Sequence, residues 1–234
     1  MPIAIITGAT KGIGRATAAL FASHGYNLAI CSRNQEDLDE TKRKLEKDHP
    51  GVEVYTQPVD VSQASDIQSF AESIKTKYAS IDVLVNNAGV FIPGSIKDEP
   101  DGNLQKMMDT NLYSAYNLSR EIIPHMTRAG HGHIINICSI ASITAYANGG
   151  SYAISKWAML GFSKCLREEL KTEGIKVTAV LPGATWSNSW EGVDLPKDRL
   201  MEAEDIAQVI YGTVSLGKNA VVEDIVIRPQ LGDL

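Results

Sequence analysis

Cysteine is scarce in this chain, and its three copies follow no chemical spacing. Cys31, Cys138 and Cys165 lie too far apart for a metal knuckle or a Cys-x-x-Cys redox centre. Cys31 and Cys138 sit in apolar runs and read as small core residues. No disulfide framework is indicated, so a reducing compartment fits. Basic charge is also short: 22 Lys and Arg against 28 Asp and Glu leave a net charge of -6. That balance argues against nucleic acid as a partner, because a phosphate backbone asks for a basic face. Long hydrophobic runs are missing too. The stretch Met1–Gly8 holds only a few apolar residues and no basic leader, so the expectation is neither signal peptide nor membrane span, no membrane partner, and a cytoplasmic location. There is no internal repeat, linker or low-complexity stretch.

What is present is a regular alternation. With 234 residues, 44% of them hydrophobic and 21% charged, a single domain over residues 1–234 has ample core. Short runs rich in Ile and Val occur at Ile3–Thr7, Tyr26–Cys31, Val52–Gln57, Val83–Val85, His133–Cys138, Val177–Leu181 and Val221–Ile227, as in buried parallel strands. Between them, Ile13–His24, Asn34–Asp48, Gln63–Tyr78, Leu104–Arg128, Ser151–Glu173 and Ala203–Leu216 read as helices. Repeated β-α-β units with right-handed crossovers imply an α/β fold: a Rossmann-type, doubly wound, mostly parallel seven-stranded sheet with helices on both faces. Pro182–Leu200 lacks clear periodicity, and its portion at about 184–200 is expected to be a substrate flap at the carboxyl ends of the strands.

The first strand runs into Thr7-Gly8-Ala9-Thr10-Lys11-Gly12-Ile13-Gly14 and then a helix. Glycines there provide a tight turn, close approach of backbone to a pyrophosphate, and close packing of helix on strand, while the helix N-terminus holds the phosphates. The spacing is Gly-x3-Gly-x-Gly, and Gly8, Thr10, Lys11, Gly12, Ile13 and Gly14 are the expected cofactor contacts. The second strand ends at Ile30-Cys31-Ser32-Arg33, where an NAD enzyme would carry an acid that repels a 2′-phosphate. Lys11 and Arg33 are either two solvated surface charges or a phosphate site; the second reading predicts NADP(H). Asp60 is either a helix N-terminal carboxylate or an acceptor for the adenine amino group, with Val61 beside it. Asn86-Asn87-Ala88-Gly89 follows the fourth strand at the expected switch point, where Asn87, Ala88 and Gly89 let backbone approach the adenine ribose.

Tyr152 and Lys156 stand four apart on one helical face. A phenol of ordinary pKa about 10 is a poor acid or base at neutral pH, and an adjacent ammonium stabilises the phenolate. Lys156 is expected to do this and to hold the nicotinamide ribose. Ser139, at the end of Ile134-Ile135-Asn136-Ile137-Cys138, offers a hydroxyl to a substrate carbonyl oxygen alongside Tyr152. Asn111 is a candidate to hold a water that links Lys156 to solvent. No metal is expected: His131-Gly132-His133 reads as a turn between helix and strand, away from the cleft.

In this order and spacing, Thr7-Gly-x3-Gly-x-Gly, Asp60, Asn86-Asn-Ala-Gly, Asn111, Ser139, Tyr152-x3-Lys156 and Pro182-Gly183 resemble the single-domain short-chain dehydrogenase/reductase family from Ile3 to about Ser187. The resemblance implies a catalytic tetrad of Asn111, Ser139, Tyr152 and Lys156 and strand order 3-2-1-4-5-6-7. It places Pro182, Gly183, Thr185 and Ser187 against the cofactor, Ser187 standing where the family often has Thr. It also implies a homodimer or homotetramer, with Leu104–Arg128 and Ser151–Glu173 expected to make the subunit contact.

Such a chain moves hydride between NADP(H) and a small-molecule carbonyl or alcohol. Ser189-Trp190-Glu191-Gly192-Val193-Asp194 and the tail Val221–Asp233 are similar to bacterial sepiapterin-type reductases. In that reading Asp233 holds the amino-pyrimidine edge of a pterin. Trp186 and Trp190 either cover the substrate or serve as lid packing. The alternative is a 3-oxoacyl-[acyl-carrier protein] reductase. Two arginines that grip the acidic carrier in such enzymes match Gly130 and Glu173 here, leaving Arg128, Lys164, Arg167 and Lys171 as a substitute patch. A third reading, a non-catalytic NADP(H)-sensing protein, is disfavoured by the intact Ser, Tyr and Lys set.

Overall fold

The computed structural model describes residues 1–186 and 195–233. Its strands are β1 (Ile3–Thr7), β2 (Asn27–Ser32), β3 (Val54–Pro58), β4 (Val83–Asn86), β5 (Gly132–Ile137), β6 (Ile175–Pro182) and β7 (Asp224–Ile227). All pair in parallel, in the order β3-β2-β1-β4-β5-β6-β7. The chain winds outward from β1 to β3, then crosses back to β4 on the other side of β1. The carboxyl ends of β1 and β4 therefore flank the switch point, where a doubly wound sheet opens its binding crevice.

The helices are α1 (Gly12–Ser23), α2 (Gln35–Asp48), α3 (Ala64–Lys77), α4 (Asn103–Met108), α5 (Ser114–Ala129), α6 (Gly150–Leu170) and α7 (Ala203–Val214). Alternation along β1 shows why both faces are covered. Ala4 and Ile6 point to the layer of α1, α2 and α7, where they join Phe21, Leu38 and Ile206. Ile3 and Ile5 point to the layer of α3, α5 and α6, where they join Phe70, Leu118 and Leu166. Strands buried on both faces have no polar alternation to show, which is why they read as continuous apolar runs. Among the described residues no helix is long and apolar enough to cross a membrane.

Two expectations are corrected. The helix expected over Leu104–Arg128 is interrupted by a π turn at Asp109–Tyr113, where the Ser114 N–H donates to the Asp109 carbonyl. The turn carries one extra residue, so apolar periodicity runs through it unnoticed. His133 lies inside β5, as the run His133–Cys138 implies and against the turn reading of His131-Gly132-His133; it is 4% exposed, with its Nε2 2.8 Å from the Thr178 hydroxyl on β6. That hydroxyl gives its one proton to the Val222 carbonyl at 2.6 Å, so it accepts from an Nε2–H of a neutral imidazole. Burial pulls the His133 pKa down to about 3.

Candidate active site

The crevice begins at the turn after β1. Gly8 takes φ +65°, and its N–H donates to the Cys31 carbonyl at 2.9 Å, turning the chain over the end of β2. Helix α1 starts at Gly12, with Lys11 at its N-cap providing no side-chain cap. Its first amides are thus left for another acceptor. A Cβ on Gly14 would strike the Gly8 carbonyl and lie 2.5 Å from Asn87 Nδ2. Only glycine lets the helix sit this close to the turn. Asn87 braces that turn, with Nδ2 donating to the Thr7 and Gly8 carbonyls at 2.8 and 3.1 Å. Thr7 Oγ1 in return accepts from the Asn87 and Ala88 amides, both at 3.0 Å. Ile13 packs on the core beneath, and Thr10 Oγ1 donates to Ser32 Oγ at 3.2 Å.

Beside this turn lies a mixed set of charges. Arg33 is exposed just past β2, and Lys11 is exposed at the head of α1. Sequence reasoning overlooked Asp37, in the first turn of α2, which pairs with Lys11 at 3.5 Å. Asp60 lies in the turn before α3, where one oxygen accepts from the Ser62 amide at 3.0 Å and its hydroxyl at 2.7 Å. Those bonds first, and nearby Arg33 to a lesser degree, hold its carboxyl below the usual range. Val61 packs on the core next to it.

Past the carboxyl ends of β4 and β5 the remaining polar side chains converge. Ser139 is two residues beyond β5 and caps a short 3₁₀ turn, its Oγ accepting from the Ala141 amide at 3.1 Å. Tyr152, in the first turn of α6, is placed beside Ser139, whose side chain acts to lower the phenol pKa. Burial nevertheless holds the phenol above its ordinary pKa, with the Ser139 side chain opposing. Lys156 is 5% exposed, and burial depresses its pKa. Its Nζ lies 5.8 Å from the Tyr152 ring centre and donates to the Ile137 carbonyl at 2.8 Å. The expected lowering of the phenol by this ammonium is not seen: burial raises its pKa, and the opposing influence comes from Ser139. Asn111 occupies the π turn, 1% exposed, and both its amide atoms bind Val90 backbone, at 2.7 and 3.0 Å. A Cβ on Gly89 would come within 3.2 Å of Asn111 Oδ1 and 3.7 Å of Lys156 Nζ, so Gly89 keeps this space open.

Sequence reasoning missed two supports. Ser155 accepts from Asn111 Nδ2 at 2.9 Å and donates to the Tyr152 carbonyl at 2.7 Å. Beneath the site, Asn86 Nδ2 bridges Ser119 Oγ at 3.0 Å and Asn136 Oδ1 at 2.8 Å, and Asn136 Nδ2 reaches Ser163 Oγ at 2.8 Å. The signal was a lone asparagine between isoleucines in β5, because a buried amide must find partners.

The far wall is formed by the end of β6 and the tail. A Cβ on Gly183 would strike Asp233 Oδ1, which is buried without a hydrogen-bond partner among the described residues. The other oxygen of Asp233 pairs with Arg228. Thr185 Oγ1 donates to the Gly183 carbonyl at 3.0 Å, and the Trp186 amide donates to the Met201 carbonyl at 2.9 Å. Pro182 closes β6 and is buried. Ser187 and Trp190, with the middle of the expected flap, lie outside the described residues.

The short chain dehydrogenase family matches residues 2–196 of this chain. The chain is 34% identical to the sepiapterin reductase of Chlorobaculum tepidum, over 99% of this chain and 98% of that protein. It is 37% identical, over 77% of its own length and 69% of the other's, to a Streptomyces virginiae protein named for the ketoacyl reductase of the monensin polyketide synthase. Among solved structures, the alcohol dehydrogenase of Thermococcus sibiricus complexed with 5-hydroxy-NADP superposes with a TM-score of 0.90 at 26% identity, over 98% of this chain and 97% of that one. The L-sorbose reductase of Gluconobacter frateurii complexed with NADPH and L-sorbose gives a TM-score of 0.90 at 26% identity, over 97% and 95% of the two chains.

Proposed function

Because this chain belongs to the short chain dehydrogenase family, we propose that it is an NADPH-dependent carbonyl reductase of small ketones or diketones, built as one catalytic domain. The observation that carries this reading is the convergence of Ser139, Tyr152, Lys156 and Asn111 past the carboxyl ends of β4 and β5, the edge of the sheet at which the uncapped N-terminus of α1 also lies.

The cradle fits a dinucleotide. Gly8 and Gly14 keep side chains out of the turn, Gly12 takes a positive φ there, Gly89 keeps the space before Lys156 open, and the α1 amides await an anion. Gly8, Thr10, Lys11, Gly12, Ile13 and Gly14 would hold the pyrophosphate. Asp60 and Val61 would take the adenine, and Asn87 to Gly89 its ribose. Tyr152 and Lys156 would take the nicotinamide ribose, with Pro182, Gly183, Thr185 and Ser187 against the ring. Arg33 and Lys11 favour NADP(H), as do the NADP-type cofactors in both similar structures. When bound, the cofactor supplies the hydride. Ser139 holds the substrate oxygen, and Tyr152 gives it a proton. A phenol kept protonated by burial suits the reductive direction. Lys156 stabilises the phenolate left behind, and Asn111 fixes the backbone around it and holds a water for proton return.

For the substrate, Asp233 is an acceptor awaiting a donor: its buried Oδ1 lies beside Gly183 at the nicotinamide end. An amino-pyrimidine edge would satisfy it, and the likeness to a sepiapterin reductase points the same way. Trp186 and Trp190 would cover such a ring. The carrier-protein reading is supported by the 37% identity to the ketoacyl-reductase relative. Three of the four cations in its substitute basic patch, however, are engaged: Lys164 pairs with Asp224 at 2.5 Å, Arg167 with Glu223 at 3.0 Å, and Lys171 with Glu168, leaving Arg128 without an acidic partner among the described residues. Neutralised cations steer an acidic partner poorly.

Exposed Tyr113, Tyr116, Ile154 and Trp157 on the π turn, α5 and α6 support a homodimer or homotetramer through these helices. The three free thiols favour a cytoplasmic enzyme. The test of the reaction is NADPH consumption with sepiapterin, an aromatic diketone and an acetoacetyl thioester, each repeated with NADH. Turnover of pterin or diketone with NADPH is expected; preference for the thioester overturns the substrate assignment, and preference for NADH the cofactor assignment.

A further inference from the structure

Helix α6, which carries Tyr152, starts without means of its own to finish its N-terminus. Gly149 at the N-cap offers no side chain, and the first turn contains no acid. The missing partner arrives from a segment far away in sequence. Ser151 Oγ donates to Glu99 Oε1, and Ser151 is 2% exposed. The second carboxylate oxygen, Oε2, is buried and has no hydrogen-bond partner among the described residues. A carboxylate sequestered this way is costly unless the helix end compensates it.

The surrounding backbone is shaped to bring Glu99 there. A Cβ on Gly94 would lie 2.9 Å from the Glu99 Cβ and 3.4 Å from Oε2, so only glycine admits the carboxylate. The Gly94 amide donates to the Asn148 carbonyl at 2.9 Å, and Gly94 bridges Gly149 in parallel. Asn148 takes the left-handed φ of +60° at that point. Ile96 fills the place of a side chain at Gly150, and Phe91 meets the Tyr152 ring edge-on at 5.0 Å. The segment between β4 and α4 is thereby fastened onto the first turn of α6.

We propose that Glu99 is a positioning residue for Tyr152: by clasping Ser151 it fixes the first turn of α6 and holds the phenol hydroxyl against Ser139. The proposal rests on the reductase reading for the role of Tyr152, while the clasp itself is independent of it. Its test uses full-length Glu99→Ala, Glu99→Gln and Ser151→Ala, each followed by steady-state kinetics and by hydrogen exchange of the amides around Gly149–Ala153. Glu99→Ala and Ser151→Ala should lower kcat about tenfold or more, since small misplacements of a reacting group carry large penalties, and leave KM for NADPH within about twofold. Both should speed exchange in that turn. Glu99→Gln keeps an acceptor for Ser151 and should restore most of kcat and the slow exchange. Wild-type kcat in the Ala variants overturns the proposal even if exchange quickens, and so does a Glu99→Gln as damaged as Glu99→Ala. Should Glu99→Ala not fold, Ser151→Ala decides. If the wild type reduces no carbonyl, the reductase reading falls, while exchange still judges the clasp.

Discussion

Asn111 and Ser155 are joined by a 2.9 Å hydrogen bond from the π turn to α6, and Asn111 also closes on the backbone N–H and carbonyl of Val90. One buried amide thus ties together the segment after β4, the turn before α5 and the first turns of α6. Ser155 extends the tie to the Tyr152 carbonyl at 2.7 Å.

Asn111→Ala should therefore destabilise the fold by about 3 kcal/mol, because it leaves buried partners unsatisfied, whereas Ser155→Ala should cost about 1 kcal/mol. Urea unfolding measures both. Equal small losses would mean that the amide is not the tie described.

Gly14→Ala should abolish tight NADPH binding, since its Cβ would run into the Gly8 carbonyl and Asn87. Gly212→Ala, in α7 with nothing within 4 Å of the added carbon, should gain stability by up to about 1 kcal/mol through helix propensity. Nucleotide titration and thermal unfolding of the two variants separate close approach from general sensitivity to added methyl groups.

Arg33→Asp should raise KM for NADPH by about tenfold or more and move the preference toward NADH, because an acid repels the 2′-phosphate and accepts from ribose hydroxyls. Asp37→Asn should act in the opposite sense, releasing Lys11 from its 3.5 Å partner and tightening NADPH. Kinetics with both cofactors check the pair, and an unchanged preference in Arg33→Asp would remove Arg33 from the phosphate site.

Acid should destabilise the fold through His133. Its pKa falls from 6.5 to about 3 on folding, so between those values the unfolded chain binds a proton that the folded chain refuses. Stability is then full above pH 6.5 and declines as pH drops toward 3, by up to about 1.4 kcal/mol per pH unit. His133→Gln, which keeps a donor for Thr178, should flatten this limb in urea unfolding at several pH values; a slope that stays the same would assign it to carboxylates.

The sheet was legible because β-α-β alternation imprints itself as apolar runs such as Ile3–Thr7, whose limits match β1. The π turn was not legible, since Asp109–Tyr113 inserts its extra residue without changing the polarity of either side. Glycines and the proposed catalytic positions carry their chemistry in their own residue types, so Gly14 and Tyr152 could be singled out by spacing. Ser155, Asp37 and Glu99 could not. Each is an ordinary polar residue until tertiary structure puts it opposite Asn111, Lys11 or Ser151. His133 carried two conflicting readings, the start of the run His133–Cys138 and the end of a turn at His131-Gly132-His133, because the Thr178 hydroxyl that makes it tolerable in a strand comes from 45 residues away.

In the proposed NADPH-dependent carbonyl reduction, everything turns on Tyr152 donating the proton. The most direct measurement compares wild type with Tyr152→Phe, following NADPH consumption against a ketone and NADPH binding by its fluorescence. The account predicts that kcat falls by at least about a hundredfold, the usual contribution of a positioned proton donor, while binding of NADPH stays within about threefold. Turnover by Tyr152→Phe close to that of wild type would contradict it.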